Sequence, residues 1–267
     1  MMKIGFIGLG NMGGSLARLV AQDERFRSEL LLANRSRDKA EKIAAEVGGQ
    51  PVSNKEVFAQ AEVIFLGIKP AQFADLLTEY QEVLEKRESL LLVSMAAGLT
   101  LEILQKLIPS HHRWIRMMPN TPVAVGEGVV TYALSPEANQ TDEDLLRELL
   151  SSAGLLVRLE EKQLDAATAL AGCGPAFVYL FIEALADAGV RAGLSRDISL
   201  ELANQTLLGS AKLSRVSGKH PAQLKDQVCS PAGSTIAGVA SLEENAFRGT
   251  VMDAVQASYK RTQELGK

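Results

Sequence analysis

The sequence has few of the residues that build metal sites and disulfide frameworks. Its 267 residues include two cysteines and three histidines. Cys173 and Cys229 lie far apart without C-x-x-C spacing, and the histidines stand at no metal-ligand spacing from them. We therefore predict reduced thiols, as in cytoplasmic proteins, and no bound metal.

Charge of one sign and long hydrophobic runs are also scarce. Charged residues make up 22% of the chain, the net charge is −4, and no polybasic run occurs. These values argue against a nucleic-acid partner or a membrane surface. No apolar run reaches the roughly 18 residues of a membrane span. A strand pattern begins at residue 3, so we expect no signal peptide. A globular cytoplasmic protein fits best.

Apolar strand-like runs alternate with helical patterns up to about residue 160. The runs lie at residues 3–7, 30–33, 63–66, 90–93 and 114–117, and two more at 129–133 and 155–159 extend one edge. Helical patterns cover residues 15–21, 38–47, 71–84, 100–107 and 142–153. This alternation predicts an α/β fold with a doubly wound parallel sheet, a Rossmann domain over residues 1–160.

From about residue 161 the pattern is helical only. Residues 176–188 are apolar almost all round, with Glu183 and Asp187 as their only charges. A helix of this kind is buried on every side, which a domain this small cannot achieve within one chain. We predict an all-α C-terminal dimerisation and substrate-binding domain over residues 161–267, and hence a homodimer.

A glycine turn follows the first strand. Gly8, Gly10 and Gly13 have the G-x-G-x-x-G spacing of a dinucleotide-binding turn. The helix that follows offers free N–H groups and the positive end of its dipole to a pyrophosphate. The predicted cofactor contacts in this turn are Gly8, Leu9, Gly10, Asn11, Met12 and Gly13.

The second strand ends in Asn34-Arg35-Ser36. An enzyme that uses NAD commonly has an acid here, which holds the ribose 2′-hydroxyl. This chain has no acid to repel a 2′-phosphate. Arg35 can pair with that phosphate, and Asn34 and Ser36 can donate hydrogen bonds to it. We predict NADPH as the cofactor, with NADH possible.

Further contacts are expected where the other strands end, because open α/β sheets bind ligands at the carboxyl ends of their strands. The residues are Ile68, Lys69, Pro70, Met95, Ala96, Ala97 and Asn120. Lys69 could instead be a catalytic amine, although no partner for it can be named. Asn120 is equally consistent with a purely structural turn.

A stretch near residue 230 resembles the signature of pyrroline-5-carboxylate reductases. Ser230, Gly233, Thr235, Leu242 and Glu243 fit that signature. Weaker matches are the glycine turn, Lys69-Pro70, Ala96-Ala97-Gly98, Met118-Pro119-Asn120-Thr121-Pro122 and Gly172-Cys173-Gly174-Pro175-Ala176-Phe177. The resemblance therefore extends over nearly the whole chain.

The resemblance implies a Rossmann domain followed by a helical dimerisation domain, with dimers that in some members assemble into decamers. It implies reduction of 1-pyrroline-5-carboxylate to L-proline, the last step of proline biosynthesis, by hydride transfer from NADPH or NADH. Ser230, Gly233, Ser234 and Thr235 would bind the substrate, with the Thr235 hydroxyl as the catalytic group at the ring nitrogen. Asn54 would contact the cofactor.

Two departures from the family pattern are visible. Ala232 and Ser234 stand where members often have Gly and Thr or Ala, and Gly218 stands where some carry a Glu near the substrate. We therefore assign no acid at position 218. From the residues alone, the loop also fits an ordinary helix start with Ser234 or Thr235 as N-cap.

Two other functions compete with an imine reductase. The glycine turn also resembles the opening of β-hydroxyacid dehydrogenases, which use a catalytic Lys after a glycine-rich segment of the helical domain. The corresponding residues 172–177 contain no Lys. A non-catalytic sensor that binds NADP is the second alternative, and it would not need the loop at residues 230–238.

Overall fold

A computed structural model describes residues 2–109 and 111–265. Eight strands form one sheet in the order β3-β2-β1-β4-β5-β6-β7-β8. They are β1 (Ile4–Ile7), β2 (Leu30–Ala33), β3 (Gln50–Pro51), β4 (Val63–Leu66), β5 (Leu91–Ser94), β6 (Arg113–Pro119), β7 (Gly128–Leu134) and β8 (Gly154–Arg158). The sequence predicted all of them except the two-residue β3, which is too short and polar to have a strand pattern.

The sheet is parallel from β3 to β6. Strand β7 then pairs antiparallel with β6, and β8 runs parallel to β7. The connection from Pro119 to Gly128 spans too few residues for the crossover of about a dozen that parallel strands need. The predicted doubly wound sheet is therefore confirmed with one reversed edge, the edge that residues 129–133 and 155–159 were expected to form.

Fourteen α-helices lie in the described part of the chain. In the sheet-forming part they are α1 (Asn11–Val20), α2 (Glu24–Arg27), α3 (Arg37–Val47), α4 (Asn54–Gln60), α5 (Phe73–Glu79), α6 (Gln81–Glu85), α7 (Leu101–Lys106), α8 (Gln140–Leu149) and α9 (Leu164–Ala167). Beyond these lie α10 (Gly174–Arg191), α11 (Arg196–Ser217), α12 (Pro221–Val228), α13 (Ser234–Glu244) and α14 (Phe247–Leu265). The helix predicted at 71–84 is divided at Tyr80 into α5 and α6.

Both faces of the central part of the sheet are covered, so strands β1, β2 and β4 are buried and apolar along their whole length. Phe6 and Phe65 on β1 and β4 point to one face and stack with their ring centroids 4.7 Å apart. Ile7 and Ile64 point to the other face, where Trp114 is fully buried. Parallel sheets that are buried on both sides have such unbroken hydrophobic runs.

The described chain forms two compact units. One comprises residues up to 173 together with those from 258, and the other comprises residues 174–257. In the second unit, α10 packs on α11 where Gly189 meets Ser199. The boundary predicted at 160/161 stays a prediction.

The helices of the second unit leave much apolar surface exposed in a single chain. Among the described residues of α10, Ala186 alone is buried, and α13 contains no buried residue in the part described. Val178, Tyr179 and Leu180 are each about half exposed or more. By length and composition alone, the stretch Glu161–Arg191 is long and apolar enough to cross a membrane, a property that core helices of soluble proteins share.

Candidate active site

Three glycines meet around the carbonyl group of Gly8. A Cβ atom on Gly13 would lie 2.1 Å from the Gly8 oxygen, and one on Gly67 would lie 2.5 Å from it. Gly8 itself has φ +91°, a conformation that favours glycine. These contacts join β1, the start of α1 and the end of β4. The sequence indicated Gly8 and Gly13 by their spacing but missed Gly67, since it belongs to no spaced motif.

Gly10 differs from its neighbours. Its φ of −63° suits any residue, and within the described chain no atom would lie within 4 Å of a Cβ placed there. Nothing in the fold therefore requires glycine at position 10. Gly10 is the N-cap of α1 and no described side chain caps that helix, so the first N–H groups of the helix are left without a described side-chain partner. A backbone of this kind fits a pyrophosphate.

The other residues predicted in this turn contribute in different ways. The Leu9 side chain is fully buried in the core, so only its backbone can face a ligand. Met12 packs partly buried against the same core, whereas Asn11 is exposed.

Asn34 links the end of β2 to the glycine turn. Its side-chain oxygen accepts a hydrogen bond from the Leu9 N–H at 3.0 Å, and its Nδ2 donates to the Ser36 carbonyl at 3.1 Å. The amide thus keeps one N–H for a ligand. Asn34 orders both loops at which the cofactor is expected, whichever further contact it makes.

Arg35 is the cation left available beside this loop. It is exposed and forms no ion pair with a described residue. The neighbouring Arg37 instead pairs with Glu41 at 2.9 Å within α3. Ser36 stands at the N-cap of α3, yet its hydroxyl makes no capping bond in the described chain. One guanidinium and one hydroxyl are thus free to bind a phosphate.

A groove of about 370 Å³ lies next to the same loop. Its lining is Asn34, Arg37, Ala40, Pro51, Val52, Ser53 and Glu56. Asn54, the predicted cofactor contact, follows Ser53 as the first residue of α4. Ser53 and Glu56 form a capping box, and these hydrogen bonds hold the pKa of Glu56 below its ordinary value. The S-x-x-E spacing could have revealed this helix start from the sequence.

The ends of β4 and β5 lie beside the glycine turn. Gly67 N–H donates to Ile7 O at 2.8 Å, and Met95 N–H donates to Leu66 O at 3.3 Å. The predicted contacts that follow these strands are therefore close to the turn. Among them, Lys69 and Pro70 are exposed, Ile68, Met95 and Ala97 are half-buried, and Ala96 is buried.

Asn120 stands at the end of β6 and is 7% exposed. Its Oδ1 accepts from the Val129 N–H at 2.8 Å and its Nδ2 donates to the Ala171 carbonyl at 3.0 Å. Both polar atoms of the side chain therefore already have protein partners.

The loop with the proposed substrate residues lies in the second unit. Gly233 N–H donates to Ser230 O at 3.1 Å, which closes a turn in which Ala232 has φ +57°. A Cβ on Gly233 would lie 2.3 Å from the Ser230 hydroxyl. Gly233 is the N-cap of α13, so the expectation that Ser234 or Thr235 caps this helix is wrong.

The shift of the helix start has a chemical consequence. Ser234 and Thr235 are the first two residues of α13, both are exposed, and no described side chain caps their end of the helix. Their backbone N–H groups have no partner within the helix because of their position in the first turn. Two N–H groups and two hydroxyls thus surround one helix terminus, an arrangement that suits a carboxylate.

Comparison with known proteins places this chain in one family. The chain is 44% identical to a pyrroline-5-carboxylate reductase of Pisum sativum over 98% of its length and 95% of the relative's. The chain belongs to the pyrroline-5-carboxylate reductase family. It is also 40% identical to a Synechocystis pyrroline-5-carboxylate reductase, over 100% and 99% of the two chains.

Solved structures of pyrroline-5-carboxylate reductases have the same fold. The Plasmodium falciparum enzyme, determined with NADP bound, matches with a TM-score of 0.89 at 36% identity and covers 100% and 98% of the two chains. The Coxiella burnetii enzyme matches with a TM-score of 0.90 at 29% identity over 100% and 99%. The α/β and all-helical parts predicted from the sequence are thus confirmed.

Two family models divide the chain between them. Residues 161–265 match "Pyrroline-5-carboxylate reductase dimerisation", and residues 3–98 match "NADP oxidoreductase coenzyme F420-dependent". The helical region is therefore the family's dimerisation region, which agrees with the predicted homodimer and explains the apolar surface of α10 and α13. The chain is an NAD(P)H-dependent pyrroline-5-carboxylate reductase of proline biosynthesis.

Proposed function

We propose that this chain reduces pyrroline-5-carboxylate with NADPH, using the glycine turn for the cofactor and the start of α13 for the substrate. The observation that carries the cofactor site is Gly10, a glycine whose missing side chain serves no described part of the fold. It stands at the uncapped N-terminus of α1, where a pyrophosphate gains hydrogen bonds and a favourable dipole.

Arg35 and Ser36 support NADPH rather than NADH. Within the described chain, the Arg35 guanidinium is unpaired and the Ser36 hydroxyl is free, and these two groups provide the donors that a 2′-phosphate requires. Asn54 and the groove beside it would then take the adenosine end of the cofactor. The Plasmodium falciparum relative, whose structure was determined with NADP bound, supports the same assignment.

The contacts that follow β4 and β5 extend this site toward the nicotinamide. Ile68, Lys69 and Pro70 lie beyond β4, and Met95, Ala96 and Ala97 lie beyond β5. Small residues at positions 96 and 97 leave room for a flat ring against the backbone. Lys69 stays assigned to cofactor packing, because no described acid forms an ion pair with it.

The substrate carboxylate is held by the backbone N–H groups of Ser234 and Thr235. Ser230 and Gly233 shape the turn that exposes this helix start. The Thr235 hydroxyl then hydrogen-bonds the ring nitrogen of the imine. When bound, NADPH supplies a hydride from C4 of its nicotinamide to the C=N carbon. The ring nitrogen is protonated first, so the C=N π electrons become the lone pair of the L-proline amine as the hydride adds to the carbon.

Thr235 orients the imine and does not need to be a strong acid. Protonation of the ring nitrogen makes the carbon more electrophilic, and the substrate carboxylate partly balances the iminium charge. The hydroxyl can relay the proton from water, which is an ordinary role for a positioned general acid. We propose that the enzyme acts in the cytoplasm as a homodimer, and that such dimers can assemble into a decamer. The two free cysteines fit a reducing compartment.

A substitution series at Thr235 tests the substrate assignment. Thr235→Val keeps the branched shape and removes the hydroxyl, and we expect kcat/KM for pyrroline-5-carboxylate to fall about 100-fold. Thr235→Ser keeps a hydroxyl and should recover most of the loss. A Thr235→Val enzyme with unchanged kcat/KM would contradict the role. Replacing the substrate by a β-hydroxyacid with NADP tests the competing dehydrogenase activity, for which we expect no turnover.

A further inference from the structure

Asn120 takes the place of a hydrogen-bond donor that the sequence lacks. In a continuous α-helix the carbonyl of Ala171 would accept a bond from the N–H of residue 175. Residue 175 is proline and has no N–H. The Asn120 Nδ2 donates to that carbonyl instead, at 3.0 Å, across a separation of 51 residues.

The helix is irregular at this position. Thr168–Gly172 forms a π-helical turn, in which the Cys173 N–H donates to the Thr168 carbonyl at 3.0 Å. Such turns rearrange the backbone carbonyls and are frequent at functional sites. The Asn120 side chain is itself held in place, since its Oδ1 accepts from the Val129 N–H and it is almost fully buried.

The irregular backbone at residues 168–175, called the joint from here on, contains the boundary between the two compact units. The first unit reaches Cys173 and the second begins at Gly174. The segment that leads to the joint is tied to β6 a second time, because Arg116 bonds Asp165 at 2.8 Å and Glu161 at 3.3 Å. Residues 161–173 are thus anchored near one end on Arg116 of strand β6 and near the other end on Asn120, the residue that follows this strand.

We propose that Asn120 is a positioning residue for hydride transfer, which fixes the backbone joint from which the chain continues to the substrate loop. Asn120 acts by binding the carbonyl of Ala171, in the irregular turn that precedes Pro175. It is not a ligand of the cofactor, which is the role that we predicted from its position after β6. The inference rests on the proposed function, because it assumes that the loop at Ser234 and Thr235 receives the substrate.

The test compares Asn120→Asp with the double variant Asn120→Asp/Pro175→Ala. Aspartate keeps the acceptor for Val129 and loses the N–H that reaches Ala171. We expect kcat/KM for pyrroline-5-carboxylate to fall between about ten- and a hundredfold, as for a small misplacement of reacting groups. The Kd for NADPH, measured by nicotinamide fluorescence, should stay within about twofold. The added N–H at position 175 should recover most of the lost activity.

Three results would overturn the proposal. One is an equal loss of NADPH affinity in Asn120→Asp, which would make Asn120 a cofactor ligand. Another is unchanged kcat/KM, and the third is a double variant that recovers nothing. If Asn120→Asp does not fold, Asn120→Ser with and without Pro175→Ala still tests whether an N–H at position 175 recovers activity, although serine also loses the acceptor for Val129.

Two controls separate this effect from others. Asn139→Ala removes the side chain that caps α8, so it should lower Tm by about 2–4 °C and leave kcat/KM unchanged. A loss of stability alone therefore does not imitate the expected result. The unsubstituted enzyme in the same assay tests the proposed function, because its inactivity would refute that function rather than the role of Asn120.

Discussion

Two glycines of one turn should respond in opposite ways to the same added methyl group. In Gly13→Ala the Cβ would lie 2.1 Å from the Gly8 carbonyl oxygen, which is backbone and cannot move aside easily. In Gly10→Ala the Cβ would meet no described atom within 4 Å, at a φ of −63° that alanine adopts freely. The first change strains the fold, and the second occupies the space that we assign to the pyrophosphate.

The magnitudes follow from these distances. Overpacking of a close contact costs about 1–3 kcal/mol, so Gly13→Ala should lower Tm by roughly 2–12 °C in a chain of this size. Gly10→Ala reduces the freedom of the unfolded chain but gives a poorer N-cap, and these opposing terms keep the change in stability within about 1 kcal/mol. Its Kd for NADPH should rise at least about tenfold, which corresponds to about 1.4 kcal/mol.

Thermal unfolding without cofactor and a fluorescence titration with NADPH measure the two effects separately. We expect Gly13→Ala to be the less stable variant and Gly10→Ala to be stable but deficient in binding. A Gly10→Ala protein that binds NADPH with unchanged affinity would refute our reasoning about the open space beside this residue. A strongly destabilised Gly10→Ala would also contradict it, because no described atom lies close enough to collide with that side chain.

Three further predictions concern Arg35, His112 and Ser199. Arg35→Gln should weaken NADPH binding by about ten- to a hundredfold and leave NADH binding unchanged. Arg37→Gln should change neither affinity, because Arg37 pairs with Glu41, and titrations of each variant with NADPH and with NADH measure both effects. Burial lowers the pKa of His112 to about 4, from an ordinary value near 6.5. As the pH falls, His112 takes up a proton in the unfolded chain before it does so in the folded chain. The free energy of unfolding should therefore fall by about 3 kcal/mol between about pH 6.5 and pH 4, and urea unfolding of His112→Gln should lack this slope. The Ser199 hydroxyl is buried without a described hydrogen-bond partner, so Ser199→Ala should raise the free energy of unfolding by about 1 kcal/mol, measurable in urea.

The strands and the glycine turn could be predicted because their signals are local. Runs such as residues 63–66 are apolar on both faces, and the spacing of Gly8, Gly10 and Gly13 carries its own structural context. The reversal of β7 was not predicted, although the short connection after Pro119 contains the physical reason for it. Strand β3 has no signal of its own, since two residues pair there only because β2 lies beside them.

Other features depend on contacts between distant residues. Gly67 is glycine because it faces the Gly8 carbonyl, a neighbour that no spacing pattern could reveal. The Asn34 side chain has a partner 25 residues away, and that of Asn120 has one 51 residues away. The start of α13 was misplaced by one or two residues, because serine and threonine are favoured N-caps but Gly233 holds that place here. Helix ends are generally where such errors occur.

The most direct test of our account is to follow the hydride itself. NADPH that carries deuterium in the transferred position at C4 of the nicotinamide is mixed with the enzyme and pyrroline-5-carboxylate, and the product is examined by mass spectrometry and NMR. We predict L-proline with one deuterium at C5, the former C=N carbon, formed in step with the loss of nicotinamide absorbance. Proline without deuterium at C5, or oxidation of NADPH without formation of proline, would contradict direct hydride transfer to the imine.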